Sequence, residues 1–465
     1  MQSESENPKR EPSRENIRKQ IIKLTVPVII EQTSIMALGM VNVIMVGRLG
    51  KEAIAAANMV DLLSQVIISF FSALAVGCTV LVARLVGRGD FKRINHVAKQ
   101  ALYAGSILSL GITVLLMGLQ KPILSVLYIN AEASVIANAS TYFNIVIFSY
   151  PLVILTLIVF GILRGAGDTK TPMKITLLMN VVNIIFSFIF IYGLKLKFLG
   201  LEFVIPAFHI KGAALGIAAA YLTGAWIVLS LVFRGSRIVQ LRLLEKFNWD
   251  RENLYRIFKV GFPAGLEQLL MSGGKLVLLV VIVGMGTVSI AAHSIGMSLM
   301  SLLYMPLMGF SIASTTLIGQ RLGRADPNGA EQMMDNVTKL AMSIMVPVAI
   351  IIFIFPKFFY HLYTVDQEVI GIGSKIVRIF IGAFPFHILS MVISGSLRGA
   401  GDTRYCAFVT FLGVWAFRLL LGYILGVLFH LGIYGIWVGI GMDLVLRSGL
   451  FYARFKKGEW KNIRI

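Results

Sequence analysis

Charge is scarce in this sequence: only 14% of its 465 residues are Asp, Glu, Lys or Arg. An average soluble domain carries roughly 25%. Acids are scarcest, 23 against 43 Lys and Arg, for a formal charge of +20. So little charge excludes a disordered chain and a soluble enzyme. Cysteine occurs twice, as Cys78 and Cys406, which supplies neither a disulfide framework nor a Cys-based metal site. No strand leads into a Gly-rich loop ending in Gly-Lys-Ser/Thr, which removes the P-loop. The apolar segments hold no Asp-x-x-x-Asp pair, which weighs against a membrane-embedded prenyl transferase. The excess of positive charge would suit a nucleic-acid binder only on a folded basic surface. No soluble domain is left to carry one.

What is there is apolar: 57% of the residues are hydrophobic and the mean hydropathy is +0.81. A bilayer core needs about 20 apolar residues per helix. Twelve segments qualify, near 22–46, 54–83, 96–119, 134–161, 173–193, 212–233, 257–284, 287–318, 334–355, 368–395, 406–426 and 432–453. They are too long for barrel strands and lack period-two alternation. The fold expected is an all-α integral membrane protein. The first 20 residues are polar and run straight into a helix long enough to span, so no cleavable leader is expected.

Basic residues sort by loop. By position, 32 of the 43 fall in the two terminal segments and in alternate loops, Arg84, Arg164, Arg398 and Arg447 among them. The positive-inside rule makes that side cytoplasmic and puts both termini inside. The expectation is a multi-pass protein of the cell membrane.

The chain repeats itself once. Pro27, Glu31 and Gln32 return as Pro263, Glu267 and Gln268, at a shift of 236. Gly50, Ile54, Ala55 and Ala56 return as Gly286, Ile290, Ala291 and Ala292 at the same shift. Leu163–Thr169 (LRGAGDT) is identical to Leu397–Thr403, at a shift of 234. Six helices per repeat leave both halves in one orientation, a parallel repeat about an axis along the membrane normal. The organisation expected is a tail at 1–20, an N-lobe at 21–234, a cytoplasmic connector at 235–256, a C-lobe at 257–454 and a tail at 455–465. Repeat-built transporters bind substrate between their halves.

With Pro27, Asn42, Met45, Val46, Gly47, Leu49 and Gly50 in the first segment, the Gly87–Asp90 loop (GRGD) and the doubled RGAGDT, the sequence resembles the multidrug and toxic compound extrusion (MATE) family. The resemblance covers essentially the whole chain. It implies two helical lobes in a V around a central cavity, and cation-coupled export of bulky, often cationic amphipathic compounds. It also implies an acid, in many members, where this chain has Asn42 and where it has Ser187. The usual N-lobe carboxylate pair is absent here.

Ionisable groups inside a membrane are costly, so each is a functional candidate. Glu31 and Asn42 are 11 residues apart and share one helix face, roughly 16 Å apart along the axis. Glu31 and its repeat-mate Glu267 are candidate proton carriers, or braces for helices loosened by Pro27 and Pro263. Asp61 and His387 are further coupling candidates. Asn180, Asn183 and Ser187 form a polar stripe that Asn42 and Asn144 could face, as a Na⁺ site or as a helix-locking network. Without a carboxylate the Na⁺ reading weakens, so H⁺ is favoured as coupling ion. In the C-lobe, Lys275, Arg378 and Arg418 are candidates for the cavity or substrate, and Arg378 or Arg418 could pair with Glu267. Met271 and Met297 lead a group of methionines suited to a promiscuous wall. The RGAGDT turns read as tight turns in which Asp168 or Thr169 caps the next helix.

The function expected is a cation-coupled antiporter, not an enzyme. It works as a monomer on small amphipathic substrates within the lipid bilayer, with no cofactor and no nucleic-acid partner. The alternative is a flippase for a lipid or a lipid-linked oligosaccharide. C-lobe bases on the cavity wall would favour that alternative.

Overall fold

The structure, a computed structural model, describes residues 14–127, 132–198, 201–235 and 248–463. The expected tail therefore lies outside the described residues over 1–13, as do 236–247 of the connector and the last two residues. The N-lobe runs α1 (Arg14–Gly47), α2 (Lys51–Arg88), α3 (Phe91–Leu127), α4 (Ala133–Ile147), α5 (Tyr150–Gly165), α6 (Lys170–Tyr192) and α7 (Ile210–Arg234). The C-lobe runs α8 (Arg251–Val283), α9 (Thr287–Gly323), α10 (Pro327–Ile354), a short α11 (Pro356–His361), α12 (Gln367–Gly399), α13 (Thr403–Phe411) and α14 (Ile433–Lys457). Among the described residues, eleven helices are long and apolar enough to cross a membrane, and twelve spans result when the bent pair α4–α5 counts as one.

Two features depart from the expected helices. The segment at 134–161 is not one helix: α4 and α5 meet at 49° across Phe148 and Ser149. Pro151, in the first turn of α5, has no N–H to give and its ring crowds the carbonyl of Ile147. Between α6 and α7 the chain forms a hairpin, β1 (Leu194–Phe198) antiparallel to β2 (Leu201–Ile205), in an otherwise helical chain.

Local chemistry sets the ends. Asp250, Asp326 and Asp366 cap α8, α10 and α12, each accepting from a backbone N–H of the first turn, at 3.0 Å (Asn253), 2.8 Å (Gly329) and 2.9 Å (Glu368). The repeated turns need glycine: Gly50 and Gly286 have φ of 108° and 94°, which a side chain resists.

The repeat is visible in space. Ile21 of α1 is buried in the C-lobe core, and Ile257 of α8, 236 residues on, is buried in the N-lobe core. Each lobe thus lends the start of its first helix to the other. Gly87 and Gly323, also 236 apart, abut: a Cβ on either would lie 2.9 Å from the Cα of the other. That places the pseudo-twofold axis between them. A Cβ on Gly261 would strike the main-chain oxygen of Ala73, and one on Gly309 would lie 3.1 Å from that of Thr25, the mirror of the first contact. Small residues here let the backbones approach. All these interlobe contacts lie in the half of the bundle that carries both termini.

Candidate functional site

Glu31 sits halfway along α1 and is 1% exposed. Its Oε1 accepts from Arg164 Nη2 at 2.5 Å and from Thr176 Oγ1 at 3.3 Å. Its Oε2 has no hydrogen-bond partner among the described residues. Arg164 lies in the last turn of α5, where it also meets the negative end of the helix. The C-lobe repeats the arrangement. Glu267 Oε1 accepts from Thr410 Oγ1 at 3.3 Å, and Arg398 Nη1 lies 3.8 Å from Glu267 Oε2. Arg398 is also held by Ser311 and Ser394 at 3.1 and 3.2 Å. Glu267 therefore pairs with Arg398 and not with Arg378 or Arg418. The two Glu–Arg–Thr triads are repeat copies, one tight and one loose.

The arginines of the triads, placed on the loop rim by sequence, are half-buried against these glutamates. Their helices are tied to the opposite lobe. Thr316 of α9 donates to the carbonyl of Arg164 at 3.0 Å, and Gln320 donates to that of Gly165 at 3.1 Å. Arg84, 7% exposed, donates to the carbonyl of Ala400 at 2.8 Å. Between the lobe ends, the turn after Arg164 closes as expected: Asp168 accepts from Lys170 and Thr171 N–H at 3.1 and 3.0 Å. Thr169 makes no side-chain cap.

A cavity of about 400 Å³ opens in the N-lobe beside this triad. Glu31, Asn42, Arg164, Asn180 and Asn183 line it. Asn180 donates to Ser34 at 3.1 Å, while Asn183 Oδ1 is buried and unpartnered among the described residues. Ser187 is buried further along α6 against α7. Two candidates fall elsewhere. Asn144 is exposed on α4 and is not on the cavity wall. Asp61 is exposed in the first half of α2 and is not on the cavity wall.

The C-lobe has its own cavity, about 130 Å³, on whose wall Met271, Lys275, Met297, His387 and Arg418 come together. Sequence reasoning missed two more: Arg447, also on the wall, and Asp443, which is off the wall but pairs with both wall arginines. Asp443 is fully buried and takes two arginines: Arg418 Nη2 at 2.6 Å and Arg447 Nε at 2.6 Å. Arg447 belongs to α14, not to the tail, and is 6% exposed. Arg418 lies where the chain after α13 winds as a π-helix, over Leu412–Leu421. Gly422 and Gly439 pack it against α14 with no side chain between. His387 lies among the rings of Tyr304, Phe380 and Phe384. Arg378 is not on this wall: it is exposed and donates to the carbonyl of Phe353 at 3.2 Å.

Comparison with known proteins fits this duplicated architecture. The family model MatE matches twice, over residues 27–189 and 263–424, once in each lobe. The chain belongs to the MatE family. Its members are transporters, so this MatE protein is a multi-pass membrane transporter and not an enzyme. "Probable multidrug resistance protein NorM" of Thermotoga maritima is 29% identical, over 96% of this chain and 93% of that protein. "Uncharacterized transporter YisQ" of Bacillus subtilis is 25% identical, over 95% and 94%. Among solved structures, one of the outward-facing conformation of a multidrug resistance MATE family transporter superposes with a TM-score of 0.86, at 24% identity over 97% of this chain and 98% of that one. A transporter of the MOP superfamily from Pyrococcus furiosus, reported to have a binding pocket of reversed polarity, superposes with a TM-score of 0.84 at 23% identity, over 96% and 97%. These likenesses extend the MatE fold to the whole chain.

Proposed function

We propose that this MatE protein is a proton-coupled antiporter that exports amphipathic compounds, cationic ones among them, by alternating access of its two lobes. The observation that carries the reading is the position of Glu31. Among the described residues it is the one carboxylate on the N-lobe cavity wall, and its partner Arg164 is tied through its own carbonyl to Thr316 of the other lobe. A proton on Oε2 cancels the charge that holds the Arg164 guanidinium. Losing that hold frees the end of α5 that the second lobe grips. A cationic substrate competes for the same carboxylate, so proton and substrate exclude one another, which antiport requires. The neutral oxygens of Asn42, Asn180 and Asn183 offer a hard cation little charge, which favours H⁺ over Na⁺. Relatives named as multidrug resistance proteins support the substrate class.

The lobe contacts named above lie in the terminal half, which suits a state closed on the side of the termini and open on the other. With basic residues concentrated at that closed end, the termini are cytoplasmic in a cell membrane. The protein works as a monomer and without a cofactor on this reading. A lipid or lipid-linked oligosaccharide flippase is a second reading, favoured by one observation: Lys275, Arg418 and Arg447 line the C-lobe cavity.

Ethidium movement in proteoliposomes tests the main reading. A proton gradient should drive it, and Glu31→Gln should abolish the drive. Equal drive by a sodium gradient at clamped pH, or a proton response retained in Glu31→Gln, contradicts it.

A further inference from the structure

The C-lobe cavity carries more positive charge than its surroundings cancel. Three cations line it: Lys275, Arg418 and Arg447. One carboxylate, Asp443, faces them, and both arginines already share it. Glu267, on the same helix as Lys275, is engaged by Arg398 and Thr410. Lys275 has no ion-pair partner among the described residues. The spare donor of Arg447, Nη1, finds only the sulfur of Met271 at 3.8 Å. Three further polar atoms in the wall lack a hydrogen-bond partner among the described residues: Trp437 Nε1, His293 Nδ1 and His387 Nδ1, on residues 0%, 7% and 9% exposed. Uncompensated charge and unpartnered donors inside a membrane are costly, and such groups persist where a ligand satisfies them.

The rest of the wall is apolar and soft: Met271, Met297, Met300, Phe380 and Leu278. A small hydrophilic anion gains nothing from those surfaces. An anion with an aromatic or aliphatic body gains charge pairing at one end and apolar burial at the other.

We propose that this cavity is a binding site for amphipathic anions, a carboxylate or phosphate head on an apolar body, separate from the N-lobe cavity that holds Glu31. Arg447 and Lys275 take the head, Arg418 is held in reserve by Asp443, and the methionines and Phe380 take the body. The site adds a second substrate class to the exporter reading and does not depend on the coupling ion. The same chemistry describes a free aryl acid and an anionic lipid.

Equilibrium binding to the full-length purified protein, with no gradient applied, tests this site apart from transport. The probes are 2-naphthoate and its cationic counterpart 2-naphthylmethylammonium, by calorimetry in neutral detergent. Lys275→Met should weaken naphthoate about tenfold, the worth of one charge-assisted contact. Lys275→Arg should restore it, and neither variant should weaken the ammonium probe. Unchanged thermal midpoints show that both variants are folded. Repeating the titration in nanodiscs with and without phosphatidylglycerol separates the sources. Competition by that lipid assigns the site to lipid headgroups, and its absence assigns it to free amphipathic acids. Naphthoate binding equal in wild type and Lys275→Met, or weakened alike for both probes, overturns the proposal.

Discussion

Arg164 holds Glu31 at 2.5 Å with its guanidinium, while its carbonyl accepts from Thr316 of the opposite lobe. One residue thus joins the only carboxylate that lines the N-lobe cavity among the described residues to the lobe interface. Breaking a buried ion pair by removing one partner costs about 3–5 kcal/mol. The side chain of Arg164 is 18% exposed, so solvent screens part of that cost. Glu31→Gln and Arg164→Met should each lower the unfolding midpoint in detergent. The double variant should lose less than the sum, and a double-mutant cycle measures the difference. The looser Glu267–Arg398 pair, at 3.8 Å, should show a smaller coupling in the same cycle.

Gly87 and Gly323 meet on the pseudo-twofold axis, where a Cβ on either would overlap main-chain atoms of the other lobe. Gly323→Leu should wedge the terminal half apart. Spin labels at Asn58 and Ser294, exposed repeat-mates in the other half of α2 and α9, report the response. Their separation should shorten relative to wild type.

Cys78 and Cys406 are both buried, so labelling with an impermeant maleimide has little background. Cysteine at Leu431, exposed at the end opposite the termini, should react in intact cells. Cysteine at Lys457 should react only after permeabilisation.

Asp250 lies before α8, outside the spans, and caps it. The Asn253 N–H, helped by the contact with His96 at 3.0 Å, holds its carboxyl below the usual carboxylate range. A depressed folded pKa gives stability that is present above the unfolded value, about 3.9, and lost as pH falls through the folded one. Asp250→Ala should therefore destabilise by about 1 kcal/mol at neutral pH. The difference from wild type should shrink below about pH 4. Unfolding curves of both proteins between pH 3 and 7 check this.

Most of the fold was legible because apolar runs of span length and a doubled sequence leave few alternatives. The bend between α4 and α5 was not. Pro151 breaks its span, yet Pro385, its repeat-mate, lies inside an unbroken α12. The same residue in two tertiary settings gives two outcomes, so proline alone does not decide. Helix periodicity put Glu31 and Asn42 on one face of α1, and Asn180 and Asn183 on one polar stripe of α6; all four line the N-lobe cavity. It could not find Arg164, 133 residues from Glu31. A signal was present: Glu31, Arg164 and Thr176 all recur, as Glu267, Arg398 and Thr410. Arg447 was hidden for another reason. It lies close to the C-terminus and resembles the basic rim, and only its spacing of four from Asp443 hinted at an internal pair.

The central claim is that protonation of Glu31 loosens the lobe contact that Arg164 bridges. Distances between spin labels at Asn58 and Ser294, recorded by pulsed electron resonance at pH 5.5 and pH 8 in wild type and Glu31→Gln, test it most directly. Wild type should change its distance distribution between the two pH values. Glu31→Gln should show the low-pH distribution at both. A pH response in Glu31→Gln identical to that of wild type would contradict the account.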